Sequence, residues 1–378
     1  MRKNLGLYIH IPFCASKCHY CDFTSYPGQE MLWEAYTDAV CKELELKAPL
    51  FKEQALTSVF IGGGTPSLIS PLGIVKIMTV LKQSFLVVPE AEISIESNPG
   101  TLDERKLALY RQSGINRLSI GLQSSNPALL KALGRIHTPE QFDLAVRIAR
   151  QEGFSNINGD ILMGIPQQSM AAFMDTVEHL GDLNLEHISC YSLKIEENTV
   201  FGRMEEEGRL ESVDEELDRA MYASAMKYFG SLGFEHYEIS NFAKPRHQCL
   251  HNINYWEGGS YVAAGAGAHA YTHGRRYANT PDIKAYIKSI EEGRPLLVED
   301  EEIGPETAIS EKIILGLRMR RGIDLGRLSQ EYGRDLNVQY KGILSKLVSF
   351  ALVEQQNSVI KLTKKGLDLA NQVWMEFI

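Results

Sequence analysis

The sequence predicts an α/β protein: a partial (β/α)6 barrel of the TIM type followed by a small C-terminal helical, winged-helix-like domain. Three observations lead there. Six short apolar, β-branched runs recur with helical patterns between them. The unusual glycine-rich or polar stretches fall directly after those runs, at the strand ends where barrel proteins build their sites. Beyond Pro305 the order becomes three helices, a hairpin and a last helix.

The six runs are residues 5–11, 58–61, 92–95, 117–120, 158–162 and 187–193, which suit a parallel sheet buried on both faces. Between them "EAYTDAVCKELELK", "PEQFDLAVRIARQEG" and "MAAFMDTVEHLGDL" space apolar residues near the helical period, and "TPE" and "TLDE" are helix starts. The runs are followed in turn by "CASKCHYC", "GGGTPS", "ESNPG", "GLQSSN", "MGIPQ" and "KIEENT". Residues 1–240 make the barrel unit, which includes "FGRMEEEGRLESVDEE", read as a solvated acidic connector. Residues 241–304 read as a linking segment, and 305–378 as the winged-helix-like domain with its hairpin turn near Asn357.

The chain of 378 residues has room for a barrel of about 250 residues and an appended module. Its 44% hydrophobic and 23% charged residues are those of an ordinary globular chain, which excludes extended disorder. The net charge of −9 argues against nucleic-acid binding. From Pro305 onward 11 Lys plus Arg face 8 Asp plus Glu, and a net +3 suits a packing lid better than a DNA reader. No 18-residue apolar run exists, and "MRKNLGLYIHIPFC" holds too short an apolar stretch for a signal peptide. The chain therefore reads as cytoplasmic. Peripheral contact with a membrane stays open, although no basic amphipathic helix marks it.

Three of the six cysteines, Cys14, Cys18 and Cys21, are bunched on the first loop. In a reducing compartment bunched thiols are metal or redox ligands rather than disulfides. Three thiolates hold three irons of a 4Fe-4S cluster and leave the fourth iron open to another ligand. A zinc site, the alternative, normally adds a second knuckle or a fitting histidine, and no second knuckle exists here. Tyr8 and His10, two apart on an extended strand, share a face.

"YIHIPFCASKCHYC" followed by "GGGTPS" resembles the radical S-adenosylmethionine (SAM) superfamily, and more narrowly the oxygen-independent coproporphyrinogen III oxidase family, along residues 5 to about 200. The resemblance implies that the open iron chelates SAM. An electron from a reductant such as flavodoxin or ferredoxin, passed through the cluster, then splits SAM to methionine and a 5′-deoxyadenosyl radical. It also implies that Gly63, Gly64 and Thr65 contact the methionyl part, that Tyr8, Tyr20 and Glu96 lie at SAM, and that Tyr20 also shields the cluster. Gln123, Arg135 and Asp160 match residues that help hold a second SAM. Without the resemblance these polar residues read as solvated or structural. "HNINYW", residues 251–256, resembles the HNxxYW signature of the haem chaperone (HemW-type) branch and implies His251 as an axial haem ligand. Cys249 and His247 compete for that role, and the segment read by itself is a polar, turn-like loop backed by two aromatics.

Two functions fit. An oxidase converts propionates of coproporphyrinogen III to vinyl groups by radical decarboxylation. A chaperone carries haem to membrane or respiratory haem proteins. Phe23 stands where the oxidase pattern has a further cysteine, only seven residues precede Tyr8 where the oxidase carries an extension, and "HNINYW" resembles the chaperone branch. All three favour the chaperone, with haem as cargo. Radical chemistry on another substrate and a homodimer remain open, and no catalytic residue is assigned.

Overall fold

Six parallel strands lie side by side in chain order: β1 (Lys3–Ile11), β2 (Gln54–Gly63), β3 (Val87–Ser97), β4 (Arg117–Gln123), β5 (Ile157–Met163) and β6 (His187–Ser192). Each overlaps one of the predicted runs. The computed structural model describes residues 3–211 and 213–378; Met1 and Arg2, which head the stretch weighed as a leader, and Ser212 of the acidic connector lie outside the described residues.

The sheet does not close on itself. β7 (Glu235–Glu238) and β8 (Asn241–Ala243) extend it antiparallel beyond β6. On the other edge β9 (Tyr261–Ala264) pairs parallel with β1, and β10 (His269–Thr272), β11 (Arg275–Asn279) and β12 (Leu297–Glu302) follow antiparallel. Residues 241–304, read from the sequence as a linking segment, thus carry β8 to β12 and cover both edges of the six-stranded core.

Strand alternation sorts the residues into two shells. Leu5, Leu7, Ile9 and Ile11 of β1, Val59 and Ile61 of β2, Ile93 and Ile95 of β3, and Leu118, Ile120 and Leu122 of β4 are buried in the main apolar core with the outer helices. Those helices begin where local chemistry satisfies their free N–H groups: Thr138 and Gln141 form a capping box for Pro139–Gln151, and Asp103 caps Glu104–Ser113. The alternate strand positions point into the barrel and are largely polar, among them His10, Ser58, Glu92, Ser94, Ser119 and Gln123, with Phe60 an apolar exception. The acidic connector opens as a helix, Val200–Glu206, whose Phe201 is buried.

One buried carboxylate fastens the added edge to the barrel. Glu43, on helix Trp33–Lys47, is 1% exposed and accepts from Gly265 N at 2.8 Å, Asn279 Nδ2 at 2.7 Å and Tyr286 Oη at 2.6 Å, with Lys47 Nζ at 2.6 Å. These partners come from the end of β9, from β11 and from helix Ile283–Glu292.

The C-terminal module has its own core around Ile309, Ile313, Leu325, Leu344 and Ile360. Strand Ile323–Asp324 joins the hairpin Val353–Gln356 and Val359–Leu362, which turns through Asn357 in the left-handed region, φ 54°. The module grips the barrel through Arg318, whose guanidinium lies 4.2 Å from the Trp256 ring centre and 5.6 Å from that of Trp374. No helix among the described residues is long and apolar enough to cross a membrane.

Replacing Glu43 with Ala strands several buried partners at once, so the variant is expected to lose about 3–5 kcal/mol of unfolding free energy in urea titration. A loss below about 1 kcal/mol contradicts the fastening role.

Candidate functional site

The loop that leaves β1 is held at the C-terminal mouth of the barrel from several sides. Phe13–Cys14 pairs in parallel with Tyr26–Pro27, which closes the loop at its base. His19 N donates to Leu133 O at 3.0 Å, and Phe201 N donates to His19 O at 2.9 Å. Lys17 Nζ donates to Phe23 O at 2.6 Å and Ser25 Oγ at 3.0 Å. Cys14, Cys18 and Cys21 are free thiols of intermediate exposure. Burial pushes the Cys14 and Cys18 thiols up, so their thiolate forms call for a compensating cation. Among the described residues no group of three or more His, Cys, Asp or Glu side chains is arranged to hold a metal ion.

The glycine-rich end of β2 runs against this loop. Gly63 has φ 114°, and a Cβ there would lie 2.6 Å from the His10 ring; a Cβ on Gly64 would lie 2.6 Å from Phe13 O and 3.0 Å from Cys14 Sγ. Only glycine permits that approach. Gly64 N and Thr65 N donate to Ile11 O and Phe13 O at 2.9 and 2.7 Å, and Thr65 Oγ1 lies 3.8 Å from Cys14 Sγ. From Thr65 a hydrogen-bonded chain crosses the mouth. Asn98 Nδ2 donates to Thr65 Oγ1 at 3.0 Å, Arg135 Nη1 donates to Asn98 Oδ1 at 2.8 Å, and Arg135 Nη2 donates to Tyr20 Oη at 2.7 Å. Tyr20, Arg135, Thr65 and Cys14 thus meet. Asn98 joins them and was not singled out in the sequence, although it stands two places after Glu96 and so on the same face.

Two carboxylates lie deeper in the mouth. Glu96 accepts from Gly63 N at 3.0 Å, and Asp160 accepts from Ser119 Oγ at 3.1 Å and Asn158 Nδ2 at 2.8 Å. Burial, then the negative charge of Asp160, pushes the Glu96 carboxyl up to about 7; burial also raises that of Asp160. Tyr8 Oη donates to His10 Nδ1 at 2.9 Å, while His10 Nε2 donates to Thr24 O at 2.7 Å. Gln123 ends β4 at φ 68°, and its Nε2 lies 2.8 Å from where a Cβ on Gly121 would stand. A non-glycine residue held in that region marks local strain at the site.

His251 is not at this mouth. "HNINYW" is helical, within Leu250–Trp256, and plugs the opposite end of the barrel. Glu92 Oε2 accepts from Leu250 N at 3.0 Å, and Oε1 accepts from His251 N at 3.2 Å and from Cys249 Sγ at 3.4 Å. The His251 ring stacks on Phe60 with centroids 5.4 Å apart; Nδ1 lies 3.0 Å from Ser58 Oγ and Nε2 2.8 Å from Tyr255 Oη. Burial, then the Arg117 charge, takes its pKa down to about 3, so the imidazole is neutral. Both nitrogens are engaged. The Cys249 thiol, also buried, is pushed up to about 12, whereas His247 is only part-buried on the outside, Nδ1 3.1 Å from Pro245 O.

The mouth fits the groups its loop composition suggested. Three separate thiols suit the corners of a 4Fe-4S cluster. Two buried carboxylates suit the ammonium and sulfonium of SAM, and Arg135, whose buried Nε has no hydrogen-bond partner among the described residues, suits a carboxylate.

An open barrel of six parallel strands with these thiols at its mouth defines a protein of the radical SAM class. The family model described as the Radical SAM superfamily matches residues 8–180, and that of the HemN C-terminal domain matches residues 303–369. Heme chaperone HemW of Bacillus subtilis (strain 168) is 35% identical, with 98% of each chain covered, and that of Lactococcus lactis subsp. lactis (strain IL1403) is 32% identical, with 100% of this chain and 98% of the relative covered. The solved coproporphyrinogen III oxidase (HemN) of Escherichia coli shares the fold at TM-score 0.87 over 100% of this chain and 90% of its own, with 22% identity. The chain belongs to the HemW-type branch of the radical SAM HemN family.

Cys14→Ser is expected to abolish the iron-sulfur absorbance of anaerobically reconstituted protein; full retention of that absorbance contradicts the cluster site. The raised Glu96 carboxyl keeps its proton longer in the folded state than in the unfolded chain. Stability of the cluster-free protein should therefore fall as pH rises from the ordinary carboxylate range through about 7. Glu96→Gln should flatten that slope, by at most about 1.4 kcal/mol per pH unit in urea titrations, and an unchanged slope tells against the buried-carboxylate assignment.

Proposed function

We propose that the chain is a haem chaperone that keeps a radical SAM centre at its barrel mouth. The observation that carries this reading is the match along nearly the whole chain, at 35% identity, to a protein named heme chaperone HemW. Cys14, Cys18 and Cys21 hold a 4Fe-4S cluster, and Gly63, Gly64, Thr65, Glu96 and Tyr8 hold SAM beside it. When bound, cluster and SAM supply a one-electron reductive cleavage that yields an organic radical. Tyr20 and Arg135 close over the cluster loop and keep water from it, while Gln123, Arg135 and Asp160 line the place for a second SAM.

Haem is the cargo, and His251 is its axial ligand. The Nδ1 contact with Ser58 is of the outer-shell kind that orients a ligating imidazole, and iron replaces Tyr255 at Nε2. Haem-accepting membrane or respiratory proteins receive the cargo from a cytoplasmic carrier, and a flavodoxin or ferredoxin supplies the electron.

The second reading, a coproporphyrinogen III oxidase, draws on the fold shared with HemN and on the full set of mouth residues. Against it, Phe23 occupies the place of the oxidase's additional cysteine and is 69% exposed, a side chain that makes no contribution to a cluster. Anaerobically reconstituted protein given SAM, reductant and coproporphyrinogen III is expected to yield no divinyl product while binding haem stoichiometrically in a parallel titration. Catalytic formation of the divinyl product overturns the chaperone reading.

A further inference from the structure

A groove opens at the end of the barrel away from the cysteines. Asn4 and Gln54, at the starts of β1 and β2, lie on its wall. Two adjoining cavities of about 910 and 290 Å³ share Gly258, Tyr271, Ala308 and Lys312. Their size is that of sites for small organic ligands. The smaller is walled by aromatic rings, Tyr255, Trp256, Tyr261 and Tyr271, with Arg276 and Lys312 beside them. Rings of that kind offer flat faces to a flat ligand, and the two cations offer partners for carboxylates.

Tyr255 stands between this groove and the barrel floor. Its ring lies edge-on to Tyr261 at 4.5 Å and to His251 at 4.7 Å, and its hydroxyl occupies His251 Nε2 at 2.8 Å. One side chain therefore separates the buried imidazole from the groove. The two cations are already matched by carboxylates: Arg276 Nη2 lies 2.6 Å from Glu311 Oε2, and Lys312 pairs with Glu331. The Arg276 and Glu311 side chains are 38% and 32% exposed, and Lys312, 17% exposed, meets a Glu331 that is 51% exposed, so each pair reaches solvent and a ligand carboxylate can take the place of the glutamate.

We propose that this groove at the N-terminal end of the strands seats the planar, carboxylate-bearing macrocycle, with Tyr255 as a latch over His251 and Arg276 and Lys312 as the carboxylate partners. The inference rests on the haem-carrying reading and adds to it the place of the cargo and the residue that admits it. β1 spans the barrel from groove to cysteine loop. His251 stands beside Gly6 and Ser58 and Cys14 beside Gly64, so at about 3.3 Å per residue the six steps from Ser58 to Gly64 separate the seated ring from the cluster loop by roughly 20 Å. A radical formed at the mouth does not reach a ring held there, which suits a carrier and not an oxidase of the ring's side chains.

The test uses the full chain with hemin and, separately, metal-free protoporphyrin IX, followed by absorbance and stopped flow. Arg276→Glu with Lys312→Glu is expected to weaken both ligands on the order of tenfold or more, from two lost charge-assisted contacts. Tyr255→Phe is expected to speed hemin association on the order of threefold to tenfold, because no phenol has to leave Nε2, and to leave the metal-free ring unaffected. A purely structural Tyr255 would not separate the two ligands. Arg276→Gln with Lys312→Gln serves if charge reversal impairs folding, which melting curves report. Hemin binding by the unaltered chain with affinities and rates unchanged in all these variants overturns the groove while leaving the carrier reading intact. Failure of the unaltered chain to bind hemin overturns the carrier reading itself.

Discussion

The organisation of this protein depends on one buried carboxylate. Glu92 points inward from β3 and accepts from the first two backbone N–H groups of the helix that carries "HNINYW" and from the Cys249 thiol. The first turn of any helix leaves N–H groups without intrahelical partners and carries a partial positive charge, so a carboxylate there both satisfies and attracts it. Glu92 thereby seats a seven-residue helix, too short to persist unaided, as the floor of an open barrel. Arg117, 2% exposed, lies within the same interior and offsets its negative charge.

From that floor a continuous polar chain rises to the mouth. Tyr237 Oη accepts from Cys249 N at 3.2 Å and meets His187 Nε2 at 2.8 Å, His187 Nδ1 donates to Asn158 Oδ1 at 2.7 Å, and Asn158 Nδ2 donates to Asp160 Oδ1 at 2.8 Å. Buried polar groups are tolerated when each has a partner, and a network satisfied in this way fixes one arrangement of the core. The same strands therefore have an apolar outer shell that stabilises the fold and a largely polar inner shell that lies between the cysteine loop at one end and the His251 helix at the other.

Much of this was legible in the sequence, and what was not has physical reasons. The six core strands, the placement of the cysteine and glycine loops at their ends, the helix start at "TPE" and the turn near Asn357 all follow from local pattern and turn chemistry. The strands between residues 241 and 304 are only three to six residues long and owe their existence to pairing with distant edges, chiefly β9 with β1 and β8 with β6. The polar inner shell was overlooked because parallel strands are expected to be apolar on both faces; the signal was the period of two in "EISIES" and "RLSIGLQ". "HNINYW" reads as a turn-like loop by propensity, and its helix depends on Glu92, far away in the chain. His251 shares no end of the barrel with Cys14, a separation no local motif encodes.

That separation is the centre of the account, and the distance between bound haem and cluster tests it most directly. Pulsed electron paramagnetic resonance on reconstituted, haem-loaded protein measures it through relaxation enhancement between the two iron centres. A separation of roughly 20 Å is expected, the six strand steps from Ser58 beside His251 to Gly64 beside Cys14. A separation under about 10 Å, only three residues of strand, would place haem at the mouth beside the cluster and contradict it.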